Sequence, residues 1–274
     1  MAVGQFKIGA IIQARLGSTR LPNKVMLPLP VGSERTIISE IIERVKDVPE
    51  ISNVIVATSI SKVNDGLESY IDSLKVECHR GSENDVLSRF YDIVIKHKFK
   101  YILRLTADNP IVDNILLKEF ISNFISNDLD YSCSNNLPLG CNFEMMKSSE
   151  IIKAHENTED LFDKEHVTPF IKRNAKITED YIFNNIKINN NLRLTVDYAS
   201  DYAFINLIYN MLKGKSKSVK NIINLVEKNS WLLDINKSNF QKKEFKNISE
   251  EIKNILPLIK QRGLKRLQKL LINL

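Results

Sequence analysis

Apolar residues recur along the first half of the chain in two alternating rhythms. Short β-branched runs read as strands, and between them apolar positions return every three or four residues, the spacing of a helix with one buried face. Lys7 to Gln13 predicts a first strand, and Thr36 to Asp47 a helix with Ile37, Ile38, Ile41, Ile42 and Val45 on one face. Asn53 to Ser59 predicts a second strand, Val63 to Leu74 a helix, "LKVEC" (74 to 78) a third strand, Glu83 to Lys98 a helix, and Lys100 to Asp108 a fourth strand. Strands alternating with such helices predict βαβ units, hence an α/β fold with a mostly parallel sheet flanked by helices. Sheets of this class bind ligands beyond the carboxyl ends of their strands. Each predicted strand is followed there by polar residues.

The rhythm loosens after Asp108. "DYSCSNN" (130 to 136) and "NNLRLTVD" (190 to 197) are further strand candidates, "EHVTPFIKRN" (165 to 174) is a short helix or a loop leading into one, and "YASDYAFINLIYNMLK" predicts a helix directly after Asp197. Residues 1–240 read as one domain. Residues 241–274 read as a Lys-rich connector and a basic terminal helix with a stripe of Leu264, Leu267, Leu271 and Leu274.

Charge sharpens that division. The chain carries 39 Lys and Arg against 33 Asp and Glu, a net +6, and the six cations from Lys253 to Lys269, with no acid among them, account for all of it. The main body is neutral, so no nucleic-acid partner is expected. A cationic helix with a leucine stripe suits an anionic membrane surface, or packing against its own domain or a second subunit. No apolar run approaches the roughly 20 residues of a membrane span, no signal peptide is evident, and the three cysteines fit neither a disulfide framework nor a paired metal site. A cytoplasmic protein is expected.

Candidate chemistry gathers at two places. "IIQARLGSTRLPNK" (11 to 24) opens a strand into a loop that lacks both the Walker A pattern and G-x-G-x-x-G. Gly17 permits a sharp turn, Ser18 and Thr19 add donors, and Arg15, Arg20 and Lys24 can surround a polyphosphate. The second place is a pair of aspartates, Asp108 and Asp197, each closing an R-L-T-x-D segment. Two carboxylates beside a phosphate cradle are what Mg²⁺ commonly uses, together with substrate phosphates and water.

These stretches resemble the signature blocks of the nucleotide-sugar cytidylyltransferases, most closely the spore-coat polysaccharide biosynthesis protein F branch. That branch is similar to the enzymes that activate 3-deoxy-manno-octulosonate and sialic acids with CTP. "GSENDVLSRFYD" (81 to 92), "LRLTADNPIVD" (103 to 113), "LPLGCNFEMM" (137 to 146), "KEHVTPFI" (164 to 171) and "LTVDYASDYAFI" (194 to 205) follow the loop in the family's order. The resemblance implies a Rossmann-like nucleotidyltransferase (GT-A-like) fold and transfer of CMP from CTP to an acidic sugar, a related anionic acceptor or a phosphonate, with release of pyrophosphate. It implies that Arg15, Gly17, Ser18, Arg20 and Lys24 bind the triphosphate, that Ala14, Thr58, Arg80, Ser82 and Asp85 complete the nucleotide site, and that Asp108 and Asp197 hold catalytic Mg²⁺. Arg15, Lys24 and the two aspartates would be catalytic; Arg104, Asn142, Glu144, Glu165 and His166 fall on the acceptor side. A homodimer is implied as well.

The chain departs from the family pattern at three points. Asn23 replaces a common glycine before the loop lysine, a change Asn tolerates because it enters left-handed conformations readily. "TADNP" stands where T-G-D-C-P is usual, and Asn142 stands for an aspartate, which bears on the acceptor's identity. A nucleotide-sugar-dependent glycosyltransferase and a non-catalytic nucleotide-binding scaffold are the alternatives the residues leave open.

Overall fold

The four strands predicted in the first half form side by side in a computed structural model that describes residues 6–187, 191–240 and 248–272. They are β1 (Ile8–Gln13), β2 (Asn53–Ser59), β3 (Glu77–Gly81) and β4 (Tyr101–Thr106), all parallel where they pair. The third strand begins three residues later than its apolar pattern suggests. Lys75 adopts φ +54° and the Val76 amide bonds back to the Ile71 carbonyl, so the segment 74–76 closes the preceding helix instead of joining the sheet. The later chain adds β5 (Tyr131–Ser134), β6 (Glu144–Lys147) and β7 (Thr178–Tyr181), giving the order β3-β2-β1-β4-β6-β5-β7. β6 runs antiparallel to both neighbours, and β7 pairs parallel to β5.

Alternation along β1 divides the core. Ile8, Ala10 and Ile12 point to a face covered by α1 (Ile37–Lys46), α2 (Asp65–Ser73), α4 (Asn114–Ser126), α8 (Ala199–Met211) and α9 (Val219–Lys228). Ile11, with Ile55, Ala57 and Ile102, faces α3 (Val86–His97), α5 (Ser148–Asn157) and α7 (Pro169–Asn174). The five apolar positions predicted on α1 are all buried, and the helix starts where Thr36 and Ser39 exchange side-chain and backbone hydrogen bonds of 3.2 and 2.8 Å. α6 (Leu161–His166) and α7 flank Val167, whose φ of +69° lets the Thr168 amide bond to the His166 carbonyl at 2.8 Å. A β-branched residue in that region is strained. "EHVTPFIKRN" is thus a helix end, a tight turn and a second short helix.

The candidate strand 190–197 is not a strand. Residue 190 lies outside the described residues; beyond it the segment 191–197 makes one isolated bridge, Leu139 with Arg193. Its amides are satisfied by irregular backbone instead of a ladder, Leu194 N–H by the Leu139 carbonyl (2.7 Å) and Val196 N–H by that of Asp108 (2.8 Å). Gly140 makes the close approach possible: at φ +96° an added Cβ would lie 2.4 Å from the Thr195 nitrogen.

The chain divides into two compact units, Met1–Ser238 and Asn239–Leu274. In the second, α10 (Ile248–Gln261) and α11 (Lys265–Ile272) are parted at Gly263, φ +68°, so the basic tail is two helices instead of the one expected. Leu264 and Leu267 are exposed, Leu271 is half-buried, and Leu274 lies outside the described residues. No helix among the described residues is long and apolar enough to cross a membrane.

Candidate active site

The carboxyl ends of β1 to β4 share one edge, and the loop after β1 is built there residue by residue. Ala14 N–H bonds to the Ala57 carbonyl (3.0 Å) and Leu16 N–H to Asn64 Oδ1 (2.9 Å), tying the loop to the one after β2. Asn64 is buried, its amide donating to Ser59 Oγ. The turn at Gly17 brings Ser18 N–H to the Leu16 carbonyl, and Asn23 returns the chain at φ +54° into a 3₁₀ turn that starts with Lys24. The left-handed conformation expected of Asn23 is the one it adopts.

That return buries Lys24 at the centre of the site. Its Nζ donates to Asp108 Oδ2 at 2.9 Å and to Asp197 Oδ1 at 2.8 Å, so residues 84 and 173 positions away meet on one nitrogen. Arg20 adds a 2.7 Å bond to the same Asp197 oxygen, with its guanidinium 5.0 Å from the Tyr198 ring centroid. Asp108 is steadied from its own strand by Thr106 Oγ1 at 2.7 Å. Burial by itself would raise Asp197, but Lys24, Arg20 and Arg193 around it hold its carboxyl below the usual range. It is a carboxylate at any physiological pH.

The sequence reading passed over Arg193, although the repeated R-L-T-x-D pattern contains it. This buried arginine donates to Asp197 Oδ2 at 2.8 Å and to Asp201 Oδ1 at 3.0 Å. Asp201 Oδ2 accepts the backbone N–H groups of Asp197 and Tyr198, both at 3.0 Å, which fixes the entry into α8.

A second polar cluster lies one strand over. Arg104 on β4 pairs with Glu144 on β6 (2.5 Å) and donates to Gln13 on β1 (3.3 Å). Glu144 Oε1 also accepts from the Tyr131 hydroxyl (2.7 Å), Lys172 (2.8 Å) and Thr168 Oγ1 (3.3 Å). Burial would push Glu144 up, yet Arg104 and Lys172 hold it at about 2. Tyr131, Thr168 and Lys172 were not singled out in the sequence; β5 delivers Tyr131, and the turn at Val167 with α7 delivers Thr168 and Lys172.

Other predicted residues stand elsewhere. Arg80 is committed to Asp65, Glu68 and the carbonyls of Ser59 and Ser61, on the β2–α2 side. Asp85 caps α3 through Ser88 N–H (2.8 Å), and Ser82 Oγ accepts from Asp85 N–H. The carbonyls of Ser82 and Glu83 are gripped by buried Arg89, whose own charge burial and nearby Arg15 disfavour. Thr58 is fully buried at the end of β2, its hydroxyl without a partner among the described residues. Arg15 and Gly17 are exposed, as is Glu165. Asn142 is exposed too and donates to the Ser134 carbonyl (2.8 Å), and His166 ends α6 with its ring 4.5 Å from that of Phe162.

The donor set suits a hard divalent cation. Asp108 and Asp197 each place one oxygen within 3 Å of a single cationic nitrogen, and no group of three or more His, Cys, Asp or Glu that could form a metal cage occurs among the described residues. Oxygen donors of this kind are what hard divalent cations prefer.

A family model described as cytidylyltransferase matches residues 9–235. The spore coat polysaccharide biosynthesis protein SpsF of Bacillus subtilis is 33% identical over 231 residues, 80% of this chain and 93% of that one. The 8-amino-3,8-dideoxy-manno-octulosonate cytidylyltransferase of Shewanella frigidimarina is 21% identical over 222 residues, 79% of this chain and 83% of its own. Among solved structures, a cytidylyltransferase from Leptospira borgpetersenii superposes with a TM-score of 0.76 at 26% identity, covering 87% of this chain and all of the other.

Proposed function

The chain belongs to the cytidylyltransferase family, and from that premise we propose that it transfers CMP from CTP to an anionic sugar-like acceptor, with Mg²⁺ held by Asp108 and Asp197. One observation carries this reading: the cationic loop and both carboxylates converge on Lys24 Nζ, at 2.9 and 2.8 Å. A site that binds a triphosphate and a divalent cation needs that adjacency.

Each residue then has a task. Arg15, Arg20, Lys24 and the donors of Gly17 and Ser18 bind the triphosphate and balance charge on the departing pyrophosphate. Ala14 and Thr58 line the base at the ends of β1 and β2; Ser82 and Asp85 belong to the loop after β3 that closes the nucleotide site. Arg80 braces the end of β2 from behind. Mg²⁺, when bound, neutralises phosphate oxygens and lowers the pKa of the acceptor hydroxyl. Catalysis otherwise consists of positioning and charge complementarity.

The acceptor side is assigned to the Glu144 cluster. Arg104 and Lys172 outnumber the single carboxylate they share, leaving one positive charge for an acidic group, and the proposal assigns Glu165, His166 and Asn142 to the same side of the reaction. The Shewanella relative is named for an amino-bearing eight-carbon keto acid, a class whose carboxylate would suit that positive charge. The Bacillus relative's name supports a place in surface polysaccharide biosynthesis. The same proposal has the enzyme act in the cytoplasm as a homodimer, with α10 and α11 touching an anionic membrane. Deleting residues 252–274 and measuring oligomer mass and liposome binding tests those parts.

The decisive assay is pyrophosphate release with each of the four nucleoside triphosphates against a panel of keto-sugar acids, amino-sugar acids and phosphonates. Release is expected with CTP, Mg²⁺ and one acid class. Equal release with all four triphosphates, or none with any acceptor, would overturn the assignment.

A further inference from the structure

Both carboxylate oxygens of Asp197 are bonded by cationic side chains, whereas Asp108 gives Oδ2 to Lys24 and Oδ1 to the neutral Thr106 hydroxyl. Asp197 Oδ1 meets Lys24 and Arg20 on the side of the cationic loop, whereas Oδ2 is taken by Arg193 at 2.8 Å. Arg193 is 6% exposed and bonds the carboxylate oxygen other than the one the loop cations hold. Its partner Asp201 is fully buried and also receives Asn236 Nδ2 at 3.0 Å; that same nitrogen donates to the Arg193 carbonyl at 3.1 Å. Asn236, Asp201, Arg193 and Asp197 therefore form a buried relay that begins behind α8 and ends at the site.

We infer that Arg193 is a positioning residue: backed by Asp201 and Asn236, it clamps Oδ2 of Asp197 so that Oδ1 alone is presented to Lys24, Arg20 and the metal. The inference rests on the reading of Asp197 as a metal carboxylate. The geometry favours this over simple charge balance. A guanidinium bridging two carboxylates through Nε and Nη2 fixes rotation about the Asp197 side chain, which a point charge cannot do. The same relay supplies the Asp197 and Tyr198 amides with an acceptor, so backbone and side chain of the metal residue are held by one unit. Partners standing behind a ligand commonly set its orientation, and losing one typically costs about 10–100-fold in metal affinity.

The test uses Arg193→Lys, which keeps the charge and loses the fork, with Asn236→Ala as a milder break at the other end of the relay. Mn²⁺ binding is read by electron paramagnetic resonance with CTP present and no acceptor, and Asp197 is located in a metal-free crystal structure of each variant. Arg193→Lys is expected to keep its fold and to weaken Mn²⁺ binding about 10–100-fold. Its Asp197 Oδ1 should move off Lys24. If Arg193→Lys does not fold, Asn236→Ala decides, with an expected loss of a few-fold to 10-fold and the same displacement. Mn²⁺ affinity within twofold of wild type, with Oδ1 still bonded to Lys24, overturns the inference. A wild-type enzyme that binds no Mn²⁺ would sink the metal reading instead; the crystallographic position of Oδ1 still judges the role of Arg193.

Discussion

Two segments of this chain carry the same five-residue pattern, Arg104 to Asp108 and Arg193 to Asp197, and use it differently. The first is the end of a central strand: β4 is laddered on both sides, so Arg104 is directed across the sheet to Glu144 and Gln13, and Asp108 emerges with Thr106 as its support. The second has no ladder. It hangs from the Leu139 and Asp108 carbonyls, and there the arginine turns back onto its own aspartate. Identical spacing thus sends one arginine across the sheet to a glutamate and turns the other back onto its own aspartate. What decides is whether the backbone between Arg and Asp is held by neighbouring strands.

Replacing the two aspartates should break the comparison most forcefully. Asp108→Asn and Asp197→Asn are each expected to lower the rate of pyrophosphate release by about 1,000-fold or more. Their stabilities should part: Asp197→Asn leaves Lys24 and Arg193 buried beside a neutral group and costs about 3 kcal/mol, while half-exposed Asp108 costs under about 1 kcal/mol. Urea titration of both variants reads the difference, and equal losses would show that the two carboxylates are held alike.

Gly140→Ala attacks the unladdered segment alone. The new Cβ meets the Thr195 backbone at a positive φ, so a loss of about 3 kcal/mol is expected. Displacement of Asp197 should lower kcat by about 100-fold at 20 °C, where the variant remains folded. The laddered segment, and with it the acceptor KM, should change little.

The Glu144 cluster supplies a pH test on the other segment. Glu144 sits at about 2 in the folded protein, below the usual value of about 4.3. Its stabilisation is therefore complete above the unfolded value and lost as pH falls from about 4.3 towards 2, about 3 kcal/mol at most. The stability gap between wild type and Glu144→Gln, from denaturant titrations, should be constant from pH 5 to 7 and shrink below it. A gap that grew on acidification would contradict the ion cluster.

The smallest effect is expected at Asn23. Because it already occupies the left-handed region, Asn23→Gly should leave activity unchanged and shift stability by under about 1 kcal/mol, whereas Asn23→Ala should cost about 1 kcal/mol through backbone strain. Thermal melts of the pair measure it.

What could be read from the sequence follows from local physics. Strands β1 to β4, the buried face of α1 and the turn at Asn23 are each specified by side chains within one element, so periodicity and backbone preference are enough. The loop cations and Asp108 were visible as charges where strands end, and Asp197 through its repeat of the R-L-T-x-D pattern. The short strands β6 (EMMK) and β7 (TEDY) were not, because neither contains a β-branched apolar residue to mark it as a strand. Nor could spacing reveal that Asp85 caps a helix or that Arg80 spends its donors on Asp65 and Glu68.

The sequence by itself determined the fold class, the cationic character of the first loop and the pair of carboxylates that close the two R-L-T-x-D segments. Only the tertiary structure decided that Lys24 lies between those carboxylates, that Arg193, Asp201 and Asn236 stand behind one of them, and that Glu144 gathers Arg104, Tyr131, Thr168 and Lys172. The reason is physical: a charge announces itself in composition, but the partner that gives a buried charge its direction is chosen by packing between elements far apart in the chain.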